Sequence, residues 1–404
     1  MDKQGEIRIC SSDIVDEVEG RSKIVFKIEK DKEIYELHYE VDNKYKGFAC
    51  AELADCVVVS FLSYAMRGGY DIISDIPISE KLYYQMKNCL IPQFFAATKN
   101  AYNTKLICQY VDVDYNPCKV AMAMSCGLDS LTSYYQSISD DAMKSYSVNM
   151  FTFFQNGAHH SGNLGRNSKE SEIFESQLKR VERFCEKVDV PLLVVRSNIN
   201  DLLGRLFWDD SYQNTHSFRN AGFVLLFQKL IKVYYYAGVY DICEFDGSLR
   251  SGDAAHFDHF LFPNVSTQNI SFYVTNSVMT RIEKIQYLRQ FPETYDSLLV
   301  CYNSGNNCGI CLKCKRTLVE LDFADALDCF GSSFEIQNYM LNRKKYILWA
   351  FMKKNRDVLC GSIYQYAKDN KLDIPKSWCF FGAIFAKISD LFLPVIEYLK
   401  KSIK

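Results

Sequence analysis

From about residue 113 onward, short β-rich runs alternate with longer helical patterns, and this alternation restricts the architecture more than any other feature. Val120–Met124 is followed by the helical Asp129–Gln136, Ser147–Phe154 by Lys169–Val188, and Leu192–Val195 by Phe218–Tyr236. Tyr240–Phe245 closes the series. Parallel neighbours need a crossover of a dozen or more residues, and a helix is what fills it. The pattern therefore predicts an α/β fold, a parallel sheet with helices on both faces. Ligands in such sheets sit outside the carboxyl ends of the strands. The loops after these four runs are where chemistry is expected.

The flanking regions have a different texture. Residues 1–112 open with strand-like runs, Glu6–Cys10, Ser22–Glu29 and Glu33–Val41, and continue with two apolar helical stretches, Ala51–Met66 and Ser79–Ala97. Pro77 biases Ile76 away from the helical region and separates the stretches, and Ser79 is placed to cap the second. We read an N-terminal α+β domain over 1–112, a central domain over 113–321, and a helical C-terminal region over 322–404 broken at Pro375 and Pro394. The outer regions carry no catalytic constellation. Helix Ala51–Met66 is read as a docking face for a partner protein, against simple packing on the core.

With 48% hydrophobic and 24% charged residues the composition is globular, which excludes a mainly disordered chain. A net charge of −2 supplies no basic field, so neither nucleic acid nor an anionic membrane is expected as a partner. The apolar stretch Trp378–Ala386 is far shorter than the ~20 residues of a membrane span. The 16 cysteines show no disulfide-framework spacing, and the charged N-terminus lacks the apolar core of a signal peptide. A reduced, cytoplasmic, soluble protein is expected.

Four of the cysteines do cluster. Cys301, Cys308, Cys311 and Cys314 lie within fourteen residues, with Gly305 and Gly309 between them for tight turns. Four thiolates in tetrahedral reach suit Zn²⁺. An iron–sulfur cluster is the competing assignment. The bacterial ferredoxin run ends on a cysteine followed by proline, whereas Cys314 is followed by Lys315. Four protein ligands leave no open position, so the metal would fasten the fold.

The first candidate loop is Ser125-Cys126-Gly127-Leu128-Asp129-Ser130, where a strand turns into a helix. Backbone N–H groups and the helix dipole favour an anion at such a turn. Gly127 allows close approach, Ser125 and Ser130 add hydroxyl donors, and Asp129 can orient Mg²⁺. The simpler reading is that Asp129 caps the helix and Gly127 makes the turn. No Gly-Lys-Ser/Thr follows, so this is not a Walker A loop. The hexapeptide resembles the PP-loop of the ATP pyrophosphatase superfamily, Ser-Gly-Gly-x-Asp-Ser. Leu128 takes the free position and Cys126 replaces the first glycine. The resemblance implies an enzyme that binds ATP and splits it between the α and β phosphates.

The cysteine segment is similar to that of 7-cyano-7-deazaguanine synthase, in which Cys-Tyr-Asn leads to Cys-Gly-x-Cys-x-x-Cys; here the first gap is shorter. Other family positions are matched in order between the two motifs. Gln155 and His160 follow the second run, where the family has an aromatic, a Gln and a His. Arg219-Asn220 precedes an apolar helix read as Ala221–Tyr236. Cys243-Glu244, Asp246 and Ser248 match the family's substrate loop, whose carboxylates would take the N–H edge of a guanine-like ring. The Tyr-Pro-Asp that follows in the family is absent, and Leu249-Arg250-Ser251 stands there. Arg281 holds the place of a family lysine near the ATP phosphates, with Lys284 one turn on; a solvated helix face explains this pair equally.

The resemblance covers about residues 117–322, and the extra terminal regions look like those of longer relatives encoded in bacterial anti-phage operons. It implies an ATP-dependent ligase of PP-loop fold. A carboxylate such as 7-carboxy-7-deazaguanine attacks the α-phosphate, pyrophosphate leaves, and a nitrogen nucleophile displaces AMP. Ser125, Asp129, Ser130 and Arg219 would carry the catalysis with Mg²⁺. Cys126, Gly127, Leu128, Gln155, His160, Asn220, Glu244, Asp246, Ser248 and Arg281 would line ATP or the substrate. In the anti-phage branch the implied nucleophile is a protein amine. The rivals are nitrile synthesis with ammonia, another PP-loop amidation or thiolation, and a non-catalytic nucleotide-binding scaffold with a zinc knob.

Overall fold

The computed structural model describes residues 4–17, 20–99, 101–158, 169–207, 212–244 and 252–372, with Ile374 and Ile384. It divides into two compact units, Met1–Ser125 with Asp129–Ser277, and Cys126–Leu128 with Val278–Lys404.

Among its described residues the first unit holds ten strands: β1 Gly5–Asp16, β2 Arg21–Lys30, β3 Glu33–Asp42, β4 Tyr70–Ser79, β5 Leu106–Val111, β6 Lys119–Ala123, β7 Met150–Phe154, β8 Leu192–Ser197, β9 Ile231–Ala237 and β10 Ser271–Thr275. They form one sheet in the order β10-β9-β6-β7-β8-β3-β2-β1-β4-β5. The five strands β6 to β10 are parallel to their neighbours within that block. Counted in chain order, they run 3-2-1-4-5 across the sheet, so the chain leaves β6 first to one side and later returns to the other. The α/β expectation holds: the sheet is large and mostly parallel, and helices follow its strands.

Two details of the expected pattern are overturned. The run Phe218–Tyr236 is not one helix: the helix is His216–Leu225, and Ile231–Ala237 is strand β9. Tyr240–Phe245 is not a strand, because Ile242–Glu244 forms a single 3₁₀ turn there. Phe218 to Tyr234 is apolar on nearly every face and almost wholly buried, so periodicity carries no mark where helix gives way to strand. The strands β4, β5 and β10 lay outside the expected series altogether. In β4, Pro77 sits where the pairing with β5 shifts register between Ser74 and Ile78, the one kind of interior sheet position that tolerates a missing N–H. Ser79 stands at the helix N-cap, but its hydroxyl goes to Asp55.

The first 112 residues, read as a domain, share this sheet. β3 pairs antiparallel with β8 through Tyr39–Ser197 and Glu40–Arg196. The seam is extended by one side chain: Asn198 Oδ1 accepts the His38 N–H at 2.9 Å, and its Nδ2 donates to the Glu36 carbonyl at 2.8 Å. An amide side chain thus does the work of a further ladder rung. Tyr39 of β3 then meets Phe223 at 5.0 Å, and Phe223 meets Phe154 of β7 at 5.1 Å.

Helix Asp55–Gly68 is buried from Asp55 through Met66, so it offers no docking face. Its first turn is tied to β4 by the Asp55 carboxylate, which accepts the Ser79 N–H and the Gln228 amide at 2.8 Å each. It packs on helix His216–Leu225 at Gly222, where a Cβ would overlap the Ser60 hydroxyl and lie 2.5 Å from the Cys56 carbonyl.

The second unit contains helices Arg281–Leu288, Leu312–Phe323, Ile336–Lys353 and Val358–Asp369. The helical character expected after residue 322 is therefore present as far as Asp369. The stretch Trp378–Ala386, apart from Ile384, lies outside the described residues. Among the described residues no helix is long and apolar enough to cross a membrane.

The Gly222 contact generates a paired prediction. Gly222→Ala forces the two helices apart, and overpacking of this kind costs about 1–3 kcal/mol. Gly204→Ala, on an exposed helical position with nothing within 4 Å, should instead stabilise by about 0.5–1 kcal/mol. Thermal melting of both variants should show shifts of opposite sign.

Candidate active site and metal centre

Strand β6 lies between β9 and β7, so the loop that follows it is at the point where strand order reverses. That loop is the hexapeptide Ser125–Ser130. Met124 is still held to β7 by its N–H on the Thr152 carbonyl at 3.0 Å. The chain then turns sharply: Cys126 has φ +56°, fully buried, and its carbonyl accepts the Leu299 N–H at 2.8 Å. A left-handed backbone costs an ordinary L-residue ~1–2 kcal/mol, and glycine almost nothing. Cys126 therefore stands in the conformation that glycine favours, at the position where the PP-loop pattern has glycine. Helix Leu128–Ser137 begins directly afterwards, with Asp129 in its first turn.

The loop's side chains converge. Ser125 Oγ, exposed, lies 3.2 Å from Ser130 Oγ, which is buried. Asp129 is half-buried, and its carbonyl accepts from Asn276 Nδ2 at 2.7 Å. Asn276 Nδ2 also reaches Ser133 Oγ at 2.6 Å, and Ser133 Oγ meets Thr275 Oγ1 at 2.7 Å. Asn276 thus pins the first turns of the loop helix to the end of β10. It is 5% exposed, its φ is +67°, and its Oδ1 has no hydrogen-bond partner. The sequence reading missed this residue. Its signal was the run Ser271–Thr275, aromatic and β-branched, ending in Asn-Ser.

The loop after β7 is built around Arg219. Gln155 is half-buried and its N–H reaches the Val195 carbonyl of β8 at 2.9 Å. Arg219 lies inside helix His216–Leu225, not ahead of a helix starting at Ala221, and is 0% exposed. Its Nε donates to Tyr64 Oη at 2.9 Å, and Nη1 donates to the Asn156 carbonyl at 3.1 Å and Asn200 Oδ1 at 2.9 Å. Gly157, at φ +98°, is required here, since a Cβ would overlap the guanidinium and sit 2.7 Å from Asn200 Oδ1. Arg219 is turned into the protein, where it fixes this loop. Asn220, 6% exposed, donates to Tyr234 Oη at 3.4 Å, which in turn meets Thr152 Oγ1 at 3.1 Å.

The remaining expected positions fall elsewhere. His160, Asp246, Ser248 and the side chain of Glu244 lie outside the described residues. In the second unit, Arg281 and Lys284 are both buried, so they do not form a solvated helix face. Arg281 Nε contacts both carboxylate oxygens of Glu320, at 3.0 and 3.1 Å, and Nη2 reaches Thr317 Oγ1 at 3.3 Å.

Cys301, Cys308, Cys311 and Cys314 come together, with all four sulfurs within 4.8 Å of one another. Tetrahedral Zn–S bonds of ~2.3 Å place sulfurs ~3.8 Å apart, and Cys308 and Cys314 already stand at 3.9 Å. The Cys311 N–H points at Cys308 Sγ at 3.3 Å, and the Cys314 N–H at Cys311 Sγ at 3.4 Å. Such N–H···S contacts stabilise thiolate charge. Hydrogen bonds from Cys311 and Cys314 hold Cys301 well below the usual thiol range. Gly309, at φ +71°, makes the turn between ligands, and its carbonyl is held by Tyr346 Oη at 3.2 Å. Cys311 is itself the N-cap of helix Leu312–Phe323. The four residues fit a zinc ion with no position left for substrate.

Two predictions follow from these geometries. Cys126→Gly removes the left-handed strain along with a buried thiol, so stability should change by less than about 1 kcal/mol, whereas Cys126→Val should lose about 2 kcal/mol or more in denaturant titration. Elemental analysis should find about one zinc per chain, and Cys311→Ala should lose the metal and the cooperative unfolding of the second unit. Comparison with protein-family models, curated proteins and solved structures finds no match to this chain.

Proposed function

We propose that this protein is an ATP-dependent amide-forming enzyme of the PP-loop type. The observation that carries the proposal is the loop Ser125–Ser130. It lies at the strand-order reversal of a parallel sheet, and Cys126 adopts a left-handed backbone, which favours glycine, at the position where the PP-loop pattern has glycine. Amide groups and two hydroxyls at a helix start are suited to phosphate. Asp129, in the first turn, would be the carboxylate to hold Mg²⁺, which when bound neutralises phosphate charge. The zinc assignment at the four cysteines belongs to the same reading, as a structural metal.

In this reading a carboxylate of deazaguanine type attacks the α-phosphate of ATP. The bond to pyrophosphate breaks, and a nitrogen nucleophile then displaces AMP from the acyl-adenylate. The protein's contribution is positioning and stabilisation of developing charge by preorganised donors. Arg219 contributes indirectly here, by fixing the Asn156 carbonyl and Asn200 from inside the fold. A protein amine is the proposed acceptor, as the resemblance to the anti-phage branch suggests, and its docking surface lies elsewhere than on the buried helix Asp55–Gly68.

The test is the cleavage position on ATP. With 7-carboxy-7-deazaguanine and an amine present, the products should be AMP and pyrophosphate. ADP and phosphate alone would exclude the PP-loop assignment. Ser130→Ala and Asp129→Ala should each lower turnover by about 100-fold or more, the scale seen when one preorganised charge-stabilising donor is removed. Circular dichroism and zinc content should stay at parental values.

A further inference from the structure

Outside the residues assigned above, Asp253, His216 and Tyr236 form a connected acid–base group in the first unit. His216 Nε2 lies 3.1 Å from Asp253 Oδ1. The same oxygen accepts the Ala255 N–H at 2.9 Å, and Oδ2 accepts from Tyr240 Oη at 2.9 Å and Gln213 Nε2 at 2.6 Å. Burial pushes this carboxyl up, but the hydrogen bonds from His216, the Ala255 amide and Tyr240 outweigh it and hold the group well below the usual carboxylate range. An ionised carboxylate can only accept. In the neutral imidazole Nε2 therefore carries the proton and Nδ1 presents its lone pair. Nδ1 stands 3.2 Å from both the Tyr236 and the Ser217 hydroxyls. Burial and the Asp258 carboxyl push the Tyr236 phenol well above its ordinary range, so it keeps its proton until a base takes it.

The placement of the group matters as much as its connectivity. Tyr236 is the penultimate residue of β9, and the pairing of Tyr235 with Met122 sets it level with Ala123, two residues before Ser125. His216 opens its helix, and Asp253 ends the long connection after β9. All three stand at the carboxyl edge of the sheet, one strand from the phosphate-type loop, where substrates of open α/β sheets bind.

We propose that Tyr236, His216 and Asp253 form the proton-accepting relay for the nitrogen nucleophile; this rests on the amide-forming reading above. As the amine attacks the acyl carbonyl, the C–N bond forms and the acyl–O bond to AMP breaks, its electron pair leaving with the AMP phosphate. The proton lost by the amine nitrogen passes to Tyr236 Oη while Tyr236 gives its own to His216 Nδ1. The resulting imidazolium is held by Asp253. Tyr236 meets the nucleophile, and His216 and Asp253 act through it.

The experiment uses the full chain with ATP, 7-carboxy-7-deazaguanine and ammonia as the probe nucleophile. ATP–pyrophosphate exchange reports adenylation, and amide formation reports the second step. Loss of a general base slows its step by about 100- to 10,000-fold, so Tyr236→Phe and His216→Asn should lose amide formation on that scale while exchange falls no more than about threefold. Hydroxylamine, a stronger nucleophile that is largely unprotonated at neutral pH, should recover most of the lost rate. Parental amide rates in both variants would overturn the relay and leave the amide-forming reading intact. Exchange and amide formation lost together, without hydroxylamine recovery, would show a purely structural role and overturn it as well. Absence of exchange in the parent protein would overturn both the reading and the relay.

Discussion

Helix Asp55–Gly68 lies against helix His216–Leu225 only because residue 222 has no Cβ. That single close approach organises much of the first unit. It brings Tyr64 within reach of Arg219 and, at 2.8 Å, of Thr215, just ahead of His216. Arg219 in turn holds the Asn156 carbonyl and Asn200, and so sets the loop after β7. A fully buried guanidinium is tolerated only when its donors are satisfied. Tyr64, Asn156 and Asn200 supply that satisfaction from elements far apart in the chain. The N-terminal segment is therefore part of the scaffold that shapes the candidate site.

The second unit rests on different physics. Its helices are tied by ion pairs: Glu320, 1% exposed, pairs with Arg281, and the half-buried Asp322 takes Arg343 at 2.7 Å and Tyr339 at 2.6 Å. Buried ion pairs specify geometry more reliably than they add stability, because desolvation offsets most of the Coulomb gain. A metal at the four cysteines would supply free energy that such a helical unit otherwise lacks. The ligand loop is prepared for it by turns and N–H···S contacts and by Tyr346 on the Gly309 carbonyl.

At the carboxyl edge of the parallel block, each loop contributes a different element. The loop after β6 offers hydroxyls and a helix start, Asn276 after β10 braces that helix, and the connection after β9 carries Asp253. Under the proposed function this division would serve two steps, one loop for phosphate and a neighbouring acid–base group for the nucleophile. The positive φ at Cys126 and Asn276 marks two places where backbone strain is stored in holding the loop Ser125–Ser130.

Three features were legible in the sequence. The alternation after residue 113 determined an α/β sheet, because only a crossover helix can return a strand in parallel. The cysteine spacing determined the sulfur cluster, since two-residue gaps and glycines leave little choice of geometry. The hexapeptide determined a strand–turn–helix, although the left-handed bend falls on Cys126 and not on Gly127, where the turn was expected. Other features needed the tertiary structure. The break between helix His216–Leu225 and strand β9 lies in a run that is almost wholly buried, Gln228 included, so no periodic signal marks it. Arg219 reads as a phosphate ligand until Tyr64, some 155 residues earlier, is seen to hold it in the core. Asp253 and His216 are 37 residues apart and share no motif. Long-range packing decides such pairings, because a side chain's role depends on what the folded chain brings beside it, and local sequence carries no record of that neighbour.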